Sequence, residues 1–189
     1  MQSVSVTIRQ ACSLFIVFTI LLGGVVPAVF TLLSHLLFSD AASGSLITHD
    51  NRLVGSTLIG QEFTEPRYFW GRLSATHPSY NAAASAASNL SMLNPVLISR
   101  ANERLEMLKG QGRVPLSLIT ASASGLDPHI DVPGAHYQIQ RVAKLRAMKP
   151  EAVKALIEEA TEPPLLGFIG EPRVNVLSLN LLLDAANER

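Results

Sequence analysis

The sequence predicts a single N-terminal transmembrane helix followed by an α+β extramembrane domain. Three observations carry that reading. No Asp, Glu, Lys or Arg occurs between Arg9 and Asp40. All fifteen acidic residues and fourteen of the fifteen basic ones lie beyond the apolar stretch. From Asn94 onward apolar residues recur at helical spacing, whereas the segment before it mixes short apolar runs with turn-forming residues.

The apolar stretch runs from Ala11 to Phe38. As a helix rising ~1.5 Å per residue it reaches about 42 Å, more than the ~30 Å hydrocarbon core of a bilayer. A cleaved secretory signal is the alternative, and the small residues from Ser39 to Gly44 resemble a cleavage site. Such signals carry a basic leader and an apolar region of roughly 7–15 residues. Here the apolar region is about twice as long and only Arg9 precedes it, so an uncleaved anchor is the better reading. The organisation expected is an N-terminal tail (1–10), a transmembrane helix (11–38) and an extramembrane domain (39–189). Arg9 precedes the span, while Asp40, Asp50 and Arg52 follow it. The positive-inside bias then sets the N-terminus in the cytoplasm and the domain outside it. Gly23, Gly24 and Pro27 interrupt the span. Small residues suit close helix–helix packing, but Gly and Pro are also commoner in membrane helices generally, so both readings stand.

The domain is nearly neutral, which argues against nucleic acid as a partner. The one cysteine, Cys12, lies in the span, so no disulfide or cysteine-based metal site can form within the chain. From Ala41 to about Leu93, Gly, Ser, Asn and Ala dominate, and short strands, turns and loops are expected. Asn94 and Pro95 provide a cap and a first-turn proline for a helix with Leu97, Ala101, Leu105 and Leu108 on one face, stopped by Gly110 and Gly112. Val114–Thr120 reads as a short strand. A second helix is expected from Pro133 to about Met148, with Ile139, Val142, Ala143 and Leu145 as its apolar surface. Pro150 opens a third, ending near Glu159, and Pro163-Pro164 breaks the chain. Asn175 caps a last helix carrying Val176, Leu179, Leu182 and Leu183.

Few motifs carry chemistry. Gly55 to Gly60 has the G-x-x-x-x-G spacing, but Gln61 and Glu62 stand where a phosphate-binding loop needs Lys and Ser/Thr. Ser122, Ser124, Asp127 and His129 share one loop, yet triad members must meet in space, and neighbours on a loop seldom do. Serine and aspartate there more commonly fix turns. The five histidines have no metal-ligand spacing. Tyr68, Phe69 and Trp70 beside Arg72 suit either a core or a contact surface rich in aromatics and arginine.

Several blocks in a fixed order identify a family. They are the span with Gly23-Gly24 and Pro27, LVGSTLIGQEF (Leu53–Phe63), YFWGRLSAT (Tyr68–Thr76), SYNAAASAASNLS (Ser79–Ser91), TASASGLDPHI (Thr120–Ile130), QIQRVAK (Gln138–Lys144) and FIGEPRVNVLSLNLLLD (Phe168–Asp184). Over essentially its whole length the chain resembles the C subunit of the Kdp potassium-transporting ATPase. Two departures are minor: Ala123 stands where the family commonly has glycine, and Val132 precedes Pro133 where a Ser or Thr cap is common. The resemblance implies a non-catalytic accessory subunit of a high-affinity potassium importer in a bacterial inner membrane. The implied partners are a channel-like potassium-binding subunit, a P-type ATPase subunit and a small membrane subunit. They handle ATP and K⁺, and this chain has no cofactor of its own. A chain without a D-K-T-G phosphorylation site or a T-V-G-Y-G-type filter fits that division of labour. The resemblance also implies a catalytic chaperone that raises the ATP affinity of the ATPase subunit, with nucleotide contact at Gly55, Ser56, Gly60 and Gln61. An extracytoplasmic domain meets no ATP, so assembly and support is the simpler physical role. The span would then pack through Gly23, Gly24 and Pro27, with Tyr68, Phe69, Trp70, Arg72, Ser122, Ser124 and Asp127 as candidate subunit contacts. An envelope-anchored hydrolase using Ser122 or Ser124, or an anchored sensor domain, are the other classes.

Overall fold

The computed structural model describes residues 4–49, 51–108 and 112–187. The chain divides into two compact units at Leu46 and Ile47. The first unit is helical: α1 (Val4–Ile20), a π-helical turn (Leu21–Val25), α2 (Val26–Leu37) and one further turn, α3 (Ser39–Ala42). Residues 4–37 are continuous and apolar enough to cross a membrane, and none of the span's 18-residue apolar window is buried within the chain. The helix starts ahead of the apolar stretch and includes Arg9. Its π turn falls where Pro27 demands one. Proline lacks the N–H that would reach the Gly23 carbonyl, and its ring crowds that carbonyl, so the preceding turn widens. Val26 N–H bonds instead to the Leu21 carbonyl, five residues back.

At the boundary lies β1 (Leu46–His49), followed by β2 (Arg52–Ser56), the two paired as a two-stranded sheet. A long irregular segment follows to Leu93, as the turn-rich composition predicts. Then come α4 (Pro95–Met107), α5 (Leu116–Ile119), β3 (His129–Asp131), α6 (Val132–Leu145), α7 (Pro150–Glu159), β4 (Thr161–Glu162), β5 (Arg173–Asn175) and α8 (Val176–Asn187). Strands β3, β5 and β4 form an antiparallel sheet in that order, with Ile130 opposite Val174. Helices α6, α7 and α8 pack in sequence, α6 against β3 and α8 against β5. Phe69, Leu118, Ile130, Val142, Val153, Ile157, Val174, Leu179 and Leu183 are fully or almost fully buried between them. Each such side chain contributes about 1.5–3 kcal/mol relative to exposure.

The helix starts follow their capping residues. Asn94 Oδ1 accepts from Val96 N–H at 2.9 Å, and Asn175 Oδ1 accepts from Ser178 N–H at 3.1 Å. For α6 the cap is Asp131, one residue ahead of Val132, with Oδ1 accepting from Gly134 N–H at 3.0 Å. The helix therefore does not need the Ser or Thr missing at Val132. Gly110, expected to end α4, lies outside the described residues.

Two expectations are corrected. The apolar run at Val114–Thr120 is one helical turn rather than a strand. Pro115 in extended backbone precedes the turn, and Thr120 N–H and hydroxyl both bond the Leu116 carbonyl. A run this short has no readable period. In α6, Val142 and Ala143 are buried as expected, but Leu145 is exposed, and Gly134, Ala135 and Gln138 complete the buried face.

Candidate functional site

The segment from Tyr68 to Arg72, singled out from sequence for its aromatics and arginine, runs through the core of the second unit without being part of any sheet. Its backbone polar groups still need partners, because an unpaired buried N–H or C=O costs about 1–3 kcal/mol. Side-chain amides supply them. Asn180 Oδ1 accepts from Phe69 N–H at 2.9 Å, and Asn180 Nδ2 donates to the Phe69 carbonyl at 3.0 Å. Gln138 does the same for Trp70, at 2.9 and 3.1 Å. Each amide replaces a neighbouring strand for one residue.

Arginines complete the framework. The Arg104 guanidinium, 8% exposed as a residue, donates to the carbonyls of Leu118 (3.1 Å) and Gly71 (2.9 Å). Arg141 donates to the carbonyls of Tyr68 and Pro66 and to Gln138 Oε1. The two guanidinium carbons lie 4.9 and 4.1 Å from the Trp70 ring centre, so the indole is in contact with two cations. Burial, with a smaller contribution from the Arg104 charge, pulls Arg141 down to about 10. Burial likewise lowers Arg104.

Phe69, Trp70 and Ser122 are buried inside the domain. Phe69 and Trp70 build the core, and Ser122 keeps 4% of its surface exposed. Tyr68, Arg72, Ser124 and Asp127 are half-buried. Arg72 Nη1 lies 3.2 Å from Asp127 Oδ2, and Nη2 donates to the Ala121 carbonyl. Tyr68 donates its hydroxyl to Asp184 Oδ2 at 3.0 Å.

The loop from Thr120 to Pro128, ahead of β3, is a series of local turns. Ser122 Oγ accepts from Gly125 N–H (2.8 Å), Ser124 Oγ from Leu126 N–H (3.1 Å), and Asp127 Oδ1 from His129 N–H (3.0 Å). Among the described residues no hydrogen bond joins either serine to His129. His129 lies instead between carboxylates, Nδ1 3.7 Å from Asp127 and Nε2 3.6 Å from Glu162. Burial opposes ionisation of Asp127, but hydrogen bonds from His129 and the Arg72 charge outweigh it and hold the carboxyl below its ordinary value. Among the described residues no cluster of His, Cys, Asp and Glu has the arrangement to hold a metal.

The glycine-spaced segment is occupied by internal contacts. Ser56 Oγ accepts from Leu58 N–H, and Gln61 Nε2 donates to the Val54 carbonyl at 2.6 Å. Gly60 N–H bonds to the Leu126 carbonyl, and a Cβ at Gly60 would meet the Tyr80 ring at 2.5 Å and the Asp127 carbonyl at 2.6 Å. Asn175 Nδ2 holds the Thr57 carbonyl at 2.8 Å. In the span, a Cβ at Gly23 or Gly24 would meet nothing within 4 Å. The residues missed from sequence are Arg104, Gln138 and Asn180. Their signal was a polar side chain on an otherwise apolar helix face.

Fold and site together define a membrane-associated protein: one candidate spanning helix among the described residues, and an α+β domain in which buried polar side chains bond its own backbone. Residues 8–185 match the family model described as KdpC, K⁺-transporting ATPase, c chain, and the chain belongs to that family. It is 50% identical over 185 residues to the potassium-transporting ATPase KdpC subunit of Variovorax paradoxus, covering 95% of this chain and 96% of the relative. The corresponding subunit of Burkholderia vietnamiensis is 51% identical over 95% of this chain and 96% of its own length. That of Herpetosiphon aurantiacus is 48% identical over 93% and 94%. The chain is thus a subunit of a potassium-transporting ATPase, with a general accessory role in that complex.

Proposed function

We propose that this subunit performs no chemistry and acts by holding the channel-like and P-type ATPase subunits, with the small membrane subunit, in one assembly. The observation that carries this is the use of both candidate nucleophiles and of Asp127 for local structure: Ser122, Ser124 and Asp127 each accept a backbone N–H of their own loop. ATP and K⁺ are handled by the partners, and the chain needs no cofactor. The charge asymmetry of Arg9 against Asp40 supports a cytoplasmic N-terminus and an extracytoplasmic domain in a bacterial inner membrane. In that orientation the chaperone effect implied by the family, a raised ATP affinity of the ATPase subunit, is transmitted through subunit contacts. Direct nucleotide contact by Gly55, Ser56, Gly60 and Gln61 is disfavoured, because the Gln61 amide and the Gly60 N–H already have partners within the fold.

The span contributes its glycine surface. Gly23 and Gly24 leave open space in a helix with no buried side chain, which suits a close approach by a partner helix. Replacing both with Leu should reduce co-purification with the other subunits severalfold while leaving the domain folded. Unchanged co-purification would show that the glycines face lipid.

A further inference from the structure

Between β4 and β5 the chain makes a tight hairpin whose exposed side chains are Leu165, Leu166, Phe168 and Ile169. Leu166 and Phe168 are 76% and 77% exposed. The turn is well braced. Leu165 and Ile169 exchange both backbone hydrogen bonds, at 3.0 and 2.9 Å, and Gly167 N–H reaches the Pro164 carbonyl. Pro163 and Pro164 stiffen its entry. It is mounted on β5, whose Val174 is completely buried, so the tip is fixed to the core of the domain.

Residue choice at the tip runs against both backbone and solvent. Leu166 and Gly167 have φ of +55° and +81°. Two successive positive φ values favour Asn-Gly, and leucine rarely adopts one. An asparagine would relieve the backbone and be better solvated. A leucine held there, beside three further exposed apolar side chains, points to a binding role for the side chain itself.

We propose that this hairpin is a preformed plug that enters an apolar pocket of another protein subunit of the transporter, a pocket with a neutral or basic rim. The proposal rests on the assembly role above and names one of its contacts. A protein pocket is favoured over a lipid surface by the charges around the tip. Glu158, Glu159, Glu162 and Glu171 flank it in sequence against Lys154 and Arg173, which pair with Glu158 (3.7 Å) and Glu162 (2.9 Å), so two more acids than bases remain. Segments that enter anionic membrane surfaces carry the opposite charge, and often Trp or Tyr, which this tip lacks. A rigid turn also loses little conformational freedom on docking.

The test uses the intact complex, isolated through a tag on the ATPase subunit, with a photo-cross-linking amino acid in place of Phe168. Cross-linking to another subunit is the expected result. Cross-linking only to lipid, or none in an assembled complex, would overturn the plug while leaving the accessory role standing. A wild-type chain that fails to co-purify would overturn both. As a second arm, L166S/F168S should unfold at the same denaturant concentration as wild type, yet dissociate from the solubilised complex at least tenfold faster. Unchanged dissociation would overturn the proposal.

Discussion

Asn180→Leu isolates the most unusual device in the fold, the side-chain amide that stands in for a strand. The substitution keeps size and raises helical propensity, but removes both partners of Phe69, whose N–H and C=O are held at 2.9 and 3.0 Å in a fully buried setting. Each orphaned group costs about 1–3 kcal/mol. Burying the added apolar surface offsets about 1 kcal/mol, leaving a net loss of roughly 1–5 kcal/mol. Trp70 is the only tryptophan and is buried in the same framework, so its emission reports unfolding of the full-length chain in detergent. The urea midpoint should fall with little change in slope. Gln140→Leu, on the exposed side of α6, should shift stability by less than about 0.5 kcal/mol. An Asn180→Leu variant as stable as that control would refute the claim that the amide sustains the Tyr68–Arg72 segment.

Gly60→Ala should destabilise by about 1–3 kcal/mol, because the new Cβ meets the Asp127 backbone, which cannot swing aside; denaturation of the full chain reads it. Asp127 is held below its ordinary value of 3.8, so its ionised form stabilises the fold. That contribution is complete above the unfolded value and is lost as pH falls through the lower folded one. Below about pH 4, Asp127→Asn should therefore flatten the acid dependence of the urea midpoint.

What was legible in the sequence was local. Asn94, Pro95, Pro150 and Asn175 act on the turn they begin, so their chemistry can be read from a few neighbouring residues. The span was legible because a bilayer imposes one composition over its whole length. The aromatic segment was not, since its burial depends on Gln138 and Asn180, 68 and 111 residues away along the chain. A polar residue amid Leu179, Leu181 and Leu183 hints at a buried partner but cannot name it. The loop from Thr120 to Pro128 was half legible: serine and aspartate as turn makers could be anticipated, while the Arg72–Asp127 pair required the fold.

The proposed role is that this chain assembles the transporter and performs none of its chemistry. The most direct measurement is K⁺-dependent ATP hydrolysis per assembled complex for Ser122→Ala and Asp127→Ala, alongside complex yield. Ser122→Ala should stay within about twofold of wild type per complex, and Asp127→Ala should lower yield more than turnover, since its part-buried backbone partner, His129 N–H, is orphaned. Normal yield with turnover reduced by orders of magnitude at either position would contradict it.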